Sequence, residues 1–248
     1  MTRFILGAAA AAIMTIILAA LYMVTFPFDS RNRVFSFVAY YWSRAVFTAT
    51  GIKVRTVGRE KIDLSRAYVY VSNHASLFDI IAVVVGISRD IRFVSKKEVK
   101  RIPIFGLAVS RANIMVDRRS GLDGARSLKE AARRISLGES FILFAEGTRT
   151  KDGRLLPFKR GAFSLAIATG APVVPLTIVG SYDIMPKGRL SVHGGTITLI
   201  VDSPIDVSEY QGRQGAFALM RRVRDIIEKN YTTVKTVGIR PSPINAGC

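Results

Sequence analysis

Along the chain the apolar positions change rhythm. From Phe4 to Phe28 no side chain is charged, and Ala, Ile, Leu and Met follow one another with few polar interruptions. A helix over that stretch, at ~1.5 Å per residue, reaches roughly 37 Å, enough to cross a ~30 Å hydrocarbon layer with some tilt. A secretory leader has an apolar core of only ~7–15 residues with a small-x-small site after it. This stretch is longer and no such site follows, so an uncleaved anchor is expected. Arg3 is the only charged side chain before it, whereas Arg31, Arg33, Arg44, Lys53, Arg55, Arg59, Lys61 and Arg66 come after. The positive-inside rule then places the rest of the chain on the cytoplasmic side, against the inner membrane in a bacterium. Val34–Gly51 has apolar residues at helical spacing, interrupted by Arg44 and carrying Tyr40, Tyr41 and Trp42. Such aromatic residues suit a headgroup boundary, and the same pattern suits an amphipathic helix packed on a globular domain. Residues 1–51 are expected to form two membrane-anchoring helices.

Beyond residue 51 short β-rich runs alternate with helical stretches. Strands are predicted at Tyr68–Ser72, Ile91–Ser95, Asn113–Asp117, Phe141–Ala145, Val173–Val179 and Thr196–Val201. Phe141–Ala145 is apolar throughout, as in a strand covered on both faces. Helices are predicted at Leu77–Val85, Asp123–Leu137 with Gly138 as its stop, Lys159–Thr169 ending at Gly170, and Ala216–Lys229. This alternation predicts an α/β domain over 52–237, with a mostly parallel or mixed central sheet flanked by helices. The tail 238–248, with two prolines and two glycines, is expected to be poorly ordered.

Composition narrows the classes. Of 248 residues, 49% are hydrophobic, too many for a disordered chain. Thirty-six Lys and Arg stand against 18 Asp and Glu, a net charge of +18, which calls for anionic partners. No helix-turn-helix, zinc or RNA-recognition signature accompanies that charge, so nucleic acid is set aside and anionic lipid or phosphorylated substrate retained. The one cysteine, Cys248, gives no disulfide framework and no Cys-based zinc site.

Two places carry chemistry. His193 lies in a His-Gly-Gly turn with no acidic neighbour, whereas His74 sits where a predicted strand becomes a helix, in Asn73-His74-x4-Asp79. On one regular helix that spacing leaves the two side chains ~140° apart. They meet only if His74 lies in the turn, with Ser76 as N-cap and Asp79 at the third helical position. Asp79 then accepts from Nδ1–H, sets the tautomer and leaves Nε2 as a base. The alternative is that Ser76-x-x-Asp79 is a capping box whose carboxylate serves helix amides alone. The second place is Glu146-Gly147-Thr148-Arg149, directly after Phe141–Ala145. Gly147 permits close backbone approach, Thr148 offers a hydroxyl, and Arg149 offers a planar fork of donors suited to phosphate. Lys96, Lys97, Arg118, Arg119, Lys159 and Arg160 adjoin other predicted edges, where they could converge on an anion.

Together these blocks resemble the glycerolipid acyltransferases of the lysophosphatidic acid acyltransferase type. Asn73, His74 and Asp79 match the first block, and Lys97, Glu98, Pro103, Gly106, Asp117 and Arg118 the second. Phe144 to Arg149 match the third, with Ala145 where proline is usual, and Val174 to Ile178 match the fourth. The resemblance implies a membrane enzyme that moves an acyl group from acyl-CoA or acyl-carrier protein to the free hydroxyl of 1-acylglycerol 3-phosphate, giving phosphatidic acid. It implies His74 as general base oriented by Asp79. Arg149, Gly147 and Thr148 would hold the acceptor phosphate, with Glu146 orienting that site and Lys97 and Arg118 as further phosphate ligands. It requires no metal and no cofactor. The blocks leave open another lysolipid acceptor, such as a lyso-ornithine lipid or a lysophospholipid. A non-enzymatic protein that binds anionic lipid is the alternative of another class.

Overall fold

The computed structural model describes residues 17, 22–25, 28, 29, 32–101, 105–116, 121–189 and 191–237. In chain order its elements are α1 (Arg33–Thr50), β1 (Lys53–Val57), β2 (Val69–Ser72), α2 (Phe78–Gly86), β3 (Arg92–Lys96), α3 (Phe105–Ala112), β4 (Ile114–Val116) and α4 (Gly121–Ser136). They continue with β5 (Phe141–Phe144), α5 (Gly161–Thr169), β6 (Val173–Val179), the short α6 (Ser181–Ile184), β7 (Thr196–Val201) and α7 (Gly212–Val237). Short 3-10 turns cover Arg59–Lys61 and Lys97–Arg101.

Among the described residues seven strands form one sheet in the order β1-β7-β6-β2-β5-β3-β4. All neighbouring pairs are parallel except β6 with β7. Every residue of β2 and of β6 is buried, Ser72 and Thr177 included, as in central strands covered on both faces. Alternate side chains serve the two faces. Tyr70, Ile142, Val174 and Leu176 pack with Phe78, Ala82 and Val83 of α2 and Phe47 of α1. Val69, Val71, Phe141 and Val173 pack with Ala131 and Ile135 of α4, Phe163 of α5 and Leu219, Val223 and Ile227 of α7.

Register decides where the loops leave. In the β2–β5 ladder Ser72 stands opposite Phe144, and in the β2–β6 ladder Ser72 stands opposite Leu176. The segments after Ser72 and after Phe144 therefore leave side by side at the carboxyl ends of two central parallel strands, where open α/β sheets place their ligands.

The α/β class with a mixed sheet is the one expected, and several boundaries move. The edge strand β1, Lys53–Val57, was not expected from the sequence; it pairs only with β7, and its ends are exposed, so apolar patterning barely marks it. The helix α3 was also not expected. The last helix runs from Gly212 to Val237, well past Ala216–Lys229 at both ends. The helix α1 packs on the domain, with the rings of Phe47 and Phe78 6.0 Å apart and Arg92 Nη1 donating to Ser36 Oγ at 3.0 Å. The expected anchor at 4–28 falls largely outside the described residues, and the tail 238–248 entirely so. Among the described residues no helix is long and apolar enough to cross a membrane.

Candidate active site

After Ser72 the chain leaves β2 through a turn before α2 begins. Asn73 holds that exit. Its Nδ2 donates to the carbonyl of Ile178 (2.8 Å), and its Oδ1 accepts from the Ile178 amide (2.9 Å), so the side chain prolongs the β2–β6 contact beyond the ladder. His74 follows in the turn, and Asp79 lies in the first turn of α2, fully buried. Their side chains meet, with Nδ1 of His74 2.8 Å from Oδ2 of Asp79. The same oxygen accepts the amides of Ala75 (2.7 Å) and Ser76 (2.9 Å). The carboxylate thus serves both the imidazole and the backbone at the start of the helix. Ser76 is not the N-cap. The helix begins at Phe78, making Asp79 its second residue, because the Ser76 hydroxyl turns to donate to the Met185 carbonyl (2.9 Å) while accepting the Phe78 amide (3.2 Å).

The chain after β5 closes on His74 from the other side. The ring of Phe144 stacks on the imidazole with centroids 3.9 Å apart and planes 12° from parallel. Glu146 Oε1 accepts the His74 amide (3.1 Å), and the Thr150 amide donates to the His74 carbonyl (3.0 Å). Burial pushes the Glu146 carboxyl up to about 7, against the opposing pull of the His74 and Leu156 amides. Gly147 takes φ +70, the left-handed region that glycine tolerates. Its bare Cα faces Lys159, since a Cβ there would lie 3.0 Å from Lys159 Cδ, Cε and Nζ. Thr148 is exposed and Arg149 half-buried. From the loop after α6, Lys187 Nζ donates to Thr148 Oγ1 (2.9 Å) and to the Arg149 carbonyl (3.2 Å).

A hydrogen-bonded imidazole–carboxylate pair, with a glycine-centred corner and three cations beside it, suits proton abstraction from a hydroxyl near an anionic group. The description Acyltransferase matches as a family over residues 53–179, a span that runs from the first strand to the last residue of β6 and contains the dyad and the corner. This chain belongs to the acyltransferase family.

Among its relatives within that family, the chloroplastic 1-acyl-sn-glycerol-3-phosphate acyltransferase BAT2 of Brassica napus is 37% identical over 72% of this chain and 52% of that protein. The 1-acyl-sn-glycerol-3-phosphate acyltransferase of Haemophilus influenzae is 31% identical over 76% of this chain and 78% of its own. The chain thus spans about half the length of the plant chloroplast relatives it matches. The crystal structure of the 1-acyl-sn-glycerophosphate acyltransferase PlsC from Thermotoga maritima superposes with a TM-score of 0.79 at 26% identity, over 97% of this chain and 98% of that one.

In this acyltransferase-family chain the fold brings six of the eight candidate residues to one end of two adjacent strands: His74, Asp79, Glu146, Gly147, Thr148 and Arg149. Lys97 follows β3, the other neighbour of β5, and is exposed at the same end of the sheet. Arg118 lies outside the described residues. Phe144, Thr150 and Lys187 escaped sequence reasoning as site residues. Phe144, though it opens the third block, reads as one more core residue of an apolar strand, and Lys187 lies outside every block, nine residues past Ile178; the Met-Pro-Lys-Gly turn around it is the only local signal.

Proposed function

We propose that this protein is a 1-acylglycerol-3-phosphate acyltransferase. In this reading it works at a membrane surface, moving an acyl group from acyl-CoA or acyl-carrier protein to the free hydroxyl of 1-acylglycerol 3-phosphate. The observation that carries the reading is the 2.8 Å contact between His74 Nδ1 and Asp79 Oδ2 beside the Glu146–Arg149 corner. A hydroxyl is a weak nucleophile until its proton is taken. With Nδ1–H given to Asp79, Nε2 of His74 is left to accept that proton, and the buried carboxylate offsets the charge that develops on the ring. The hydroxyl oxygen attacks the thioester carbonyl, the tetrahedral oxyanion collapses, and the C–S bond breaks. The thiolate leaves with the proton that His74 had held. No covalent acyl-enzyme is required, in keeping with a chain whose only cysteine is its last residue.

The test is thiol release from acyl-CoA and from acyl-carrier protein, with lysophosphatidic acid set against a lyso-ornithine lipid and a lysophospholipid. Lysophosphatidic acid is expected to have the highest kcat/KM. His74→Ala should lower kcat by about 10²–10⁴-fold, the usual contribution of a positioned base, with lipid binding kept. Equal turnover by the variant, or preference for another lysolipid, would refute the assignment.

A further inference from the structure

Lys159 and Lys187 reach the same short segment from different parts of the chain. Lys159 is anchored beside the corner by its own amide, which donates to the Ala145 carbonyl at 2.7 Å, and its side chain lies over the bare Cα of Gly147. Lys187 arrives from the loop after α6 and binds Thr148 Oγ1 and the Arg149 carbonyl. With Arg149 this makes three cationic side chains on Gly147–Arg149. Among the described residues none of the three is in ion-pair contact with a carboxylate. The acid closest in sequence, Glu146, is buried and holds the His74 amide instead. Cations gathered without ion-pair partners repel one another unless an anion joins them.

We propose that Lys159 and Lys187, with Arg149, bind the phosphate of the acceptor, and that this trio selects a phosphate monoester over a phosphodiester headgroup. A monoester has a second pKa near ~6 and so carries nearly two charges at neutral pH. A diester carries one charge, and its extra substituent fills one of the directions from which the trio donates. The Lys187 ammonium has three donors, two of them engaged by Thr148 Oγ1 and the Arg149 carbonyl, which leaves one for a phosphate oxygen. This inference rests on the acyltransfer reading above.

The experiment uses the full chain in lipid–detergent mixed micelles, with Lys159→Met, Lys187→Met and Lys187→Arg. Acceptor KM for lysophosphatidic acid should rise about tenfold in each methionine variant, as for loss of one charge-assisted contact. Donor KM and kcat should be kept, and Lys187→Arg should recover most of the affinity. Turnover of a lysophospholipid diester should fall much less, so selectivity for the monoester narrows. A fall in kcat with unchanged acceptor KM would make Lys187 a brace for the loop and overturn the proposal, as would equal losses on both acceptors. Titration of the parent and variants with glycerol 3-phosphate, followed by NMR, separates the two readings. If the parent binds it and the methionine variants bind it about tenfold more weakly, the trio stands even where no acyl transfer is found; equal binding by all overturns the trio.

Discussion

The imidazole of His74 is fixed from three directions: Asp79 at Nδ1, the face of Phe144 at 3.9 Å, and a backbone whose amide and carbonyl are both taken by the 146–150 loop. On the proposed reading, a ring so held keeps Nε2 aimed without losing rotamer freedom at each turnover. Glu146 is the member of this set with a testable titration. Its folded carboxyl, near 7, lies above the ordinary range for Glu, near ~4.3 in an unfolded chain. Between those values the folded protein holds a proton that the unfolded chain has released, so stability contributed at this site falls as pH rises through the window. Glu146→Gln keeps an acceptor for the His74 amide and cannot titrate. The difference in Tm, variant minus parent, should therefore increase from pH 4.5 to pH 7.5 and then level off, as read by thermal melts across that range. Much of this contact set was legible at the level of residue type: Asn-His-x4-Asp and Glu-Gly-Thr-Arg mark the two segments that meet, to which the proposed reading gives the roles of base, partner and anion corner. The double duty of Asp79 was not, because capping box and dyad look like alternatives until one oxygen is seen to serve three donors. Ala145 makes the same point about departures. The block it resembles has proline there; the Ala145 amide instead donates to the Ser72 carbonyl (2.9 Å) and lengthens the β2–β5 contact by one bond that a proline would lack.

Elements bring these residues together through register. Ser72 opposite Phe144 means that two parallel neighbours end level, and the chain two residues past each, His74 and Glu146, meets across the gap. Apart from the edge strand β1, strand identity was readable from apolar runs, but strand order was not, because β5 inserts between β2 and β3 out of chain order. The long α7 illustrates another limit. Gly212–Gly215 and Thr232–Val234 have poor helix propensity, yet the helix passes through both. Packing overrides propensity here: Ala216, Leu219, Val223, Ile227 and Tyr231 line one buried stripe. At the end of that stripe the Tyr231 hydroxyl donates to the Gly153 carbonyl (2.7 Å), and Arg224 Nη1 donates to Leu156 O (3.0 Å). These bonds tether the loop that follows the Glu146 corner. Tyr231→Phe removes one of them, while the Gly153 carbonyl keeps the longer contact from Lys235 Nζ (3.3 Å), so the loss is that of one hydrogen bond, about 0.5–1.5 kcal/mol. Expected is a Tm lower by roughly 1–6 °C, at ~2–4 °C per kcal/mol for a chain of this size, with helix content unchanged by circular dichroism.

At the scale of the whole molecule two forces would hold the chain at a bilayer, and they respond differently to salt. The charge of +18 is long-ranged and screened, with a Debye length of ~10 Å at 0.1 M salt. Each Lys or Arg close to an anionic surface contributes ~1 kcal/mol at most. Apolar contact is short-ranged and insensitive to salt. Its sources are the uncharged stretch from Phe4 to Phe28 and the outer face of α1, where Phe37 and Tyr41 are exposed with their rings 4.4 Å apart. On the proposed reading the acceptor already lies in the membrane, so both forces bring the dyad to its substrate. The full chain should therefore sediment with neutral phosphatidylcholine vesicles and stay bound at 0.5 M salt. A chain lacking residues 1–28 retains α1 and nearly all of the basic surface. It should bind vesicles containing anionic lipid, release them as salt rises from 0.05 to 0.5 M, and ignore neutral ones. Salt-resistant binding of the shortened chain to neutral vesicles would assign the attachment to the aromatic face of α1 instead. Loss of all vesicle binding at low salt would mean that the basic residues face away from the lipid.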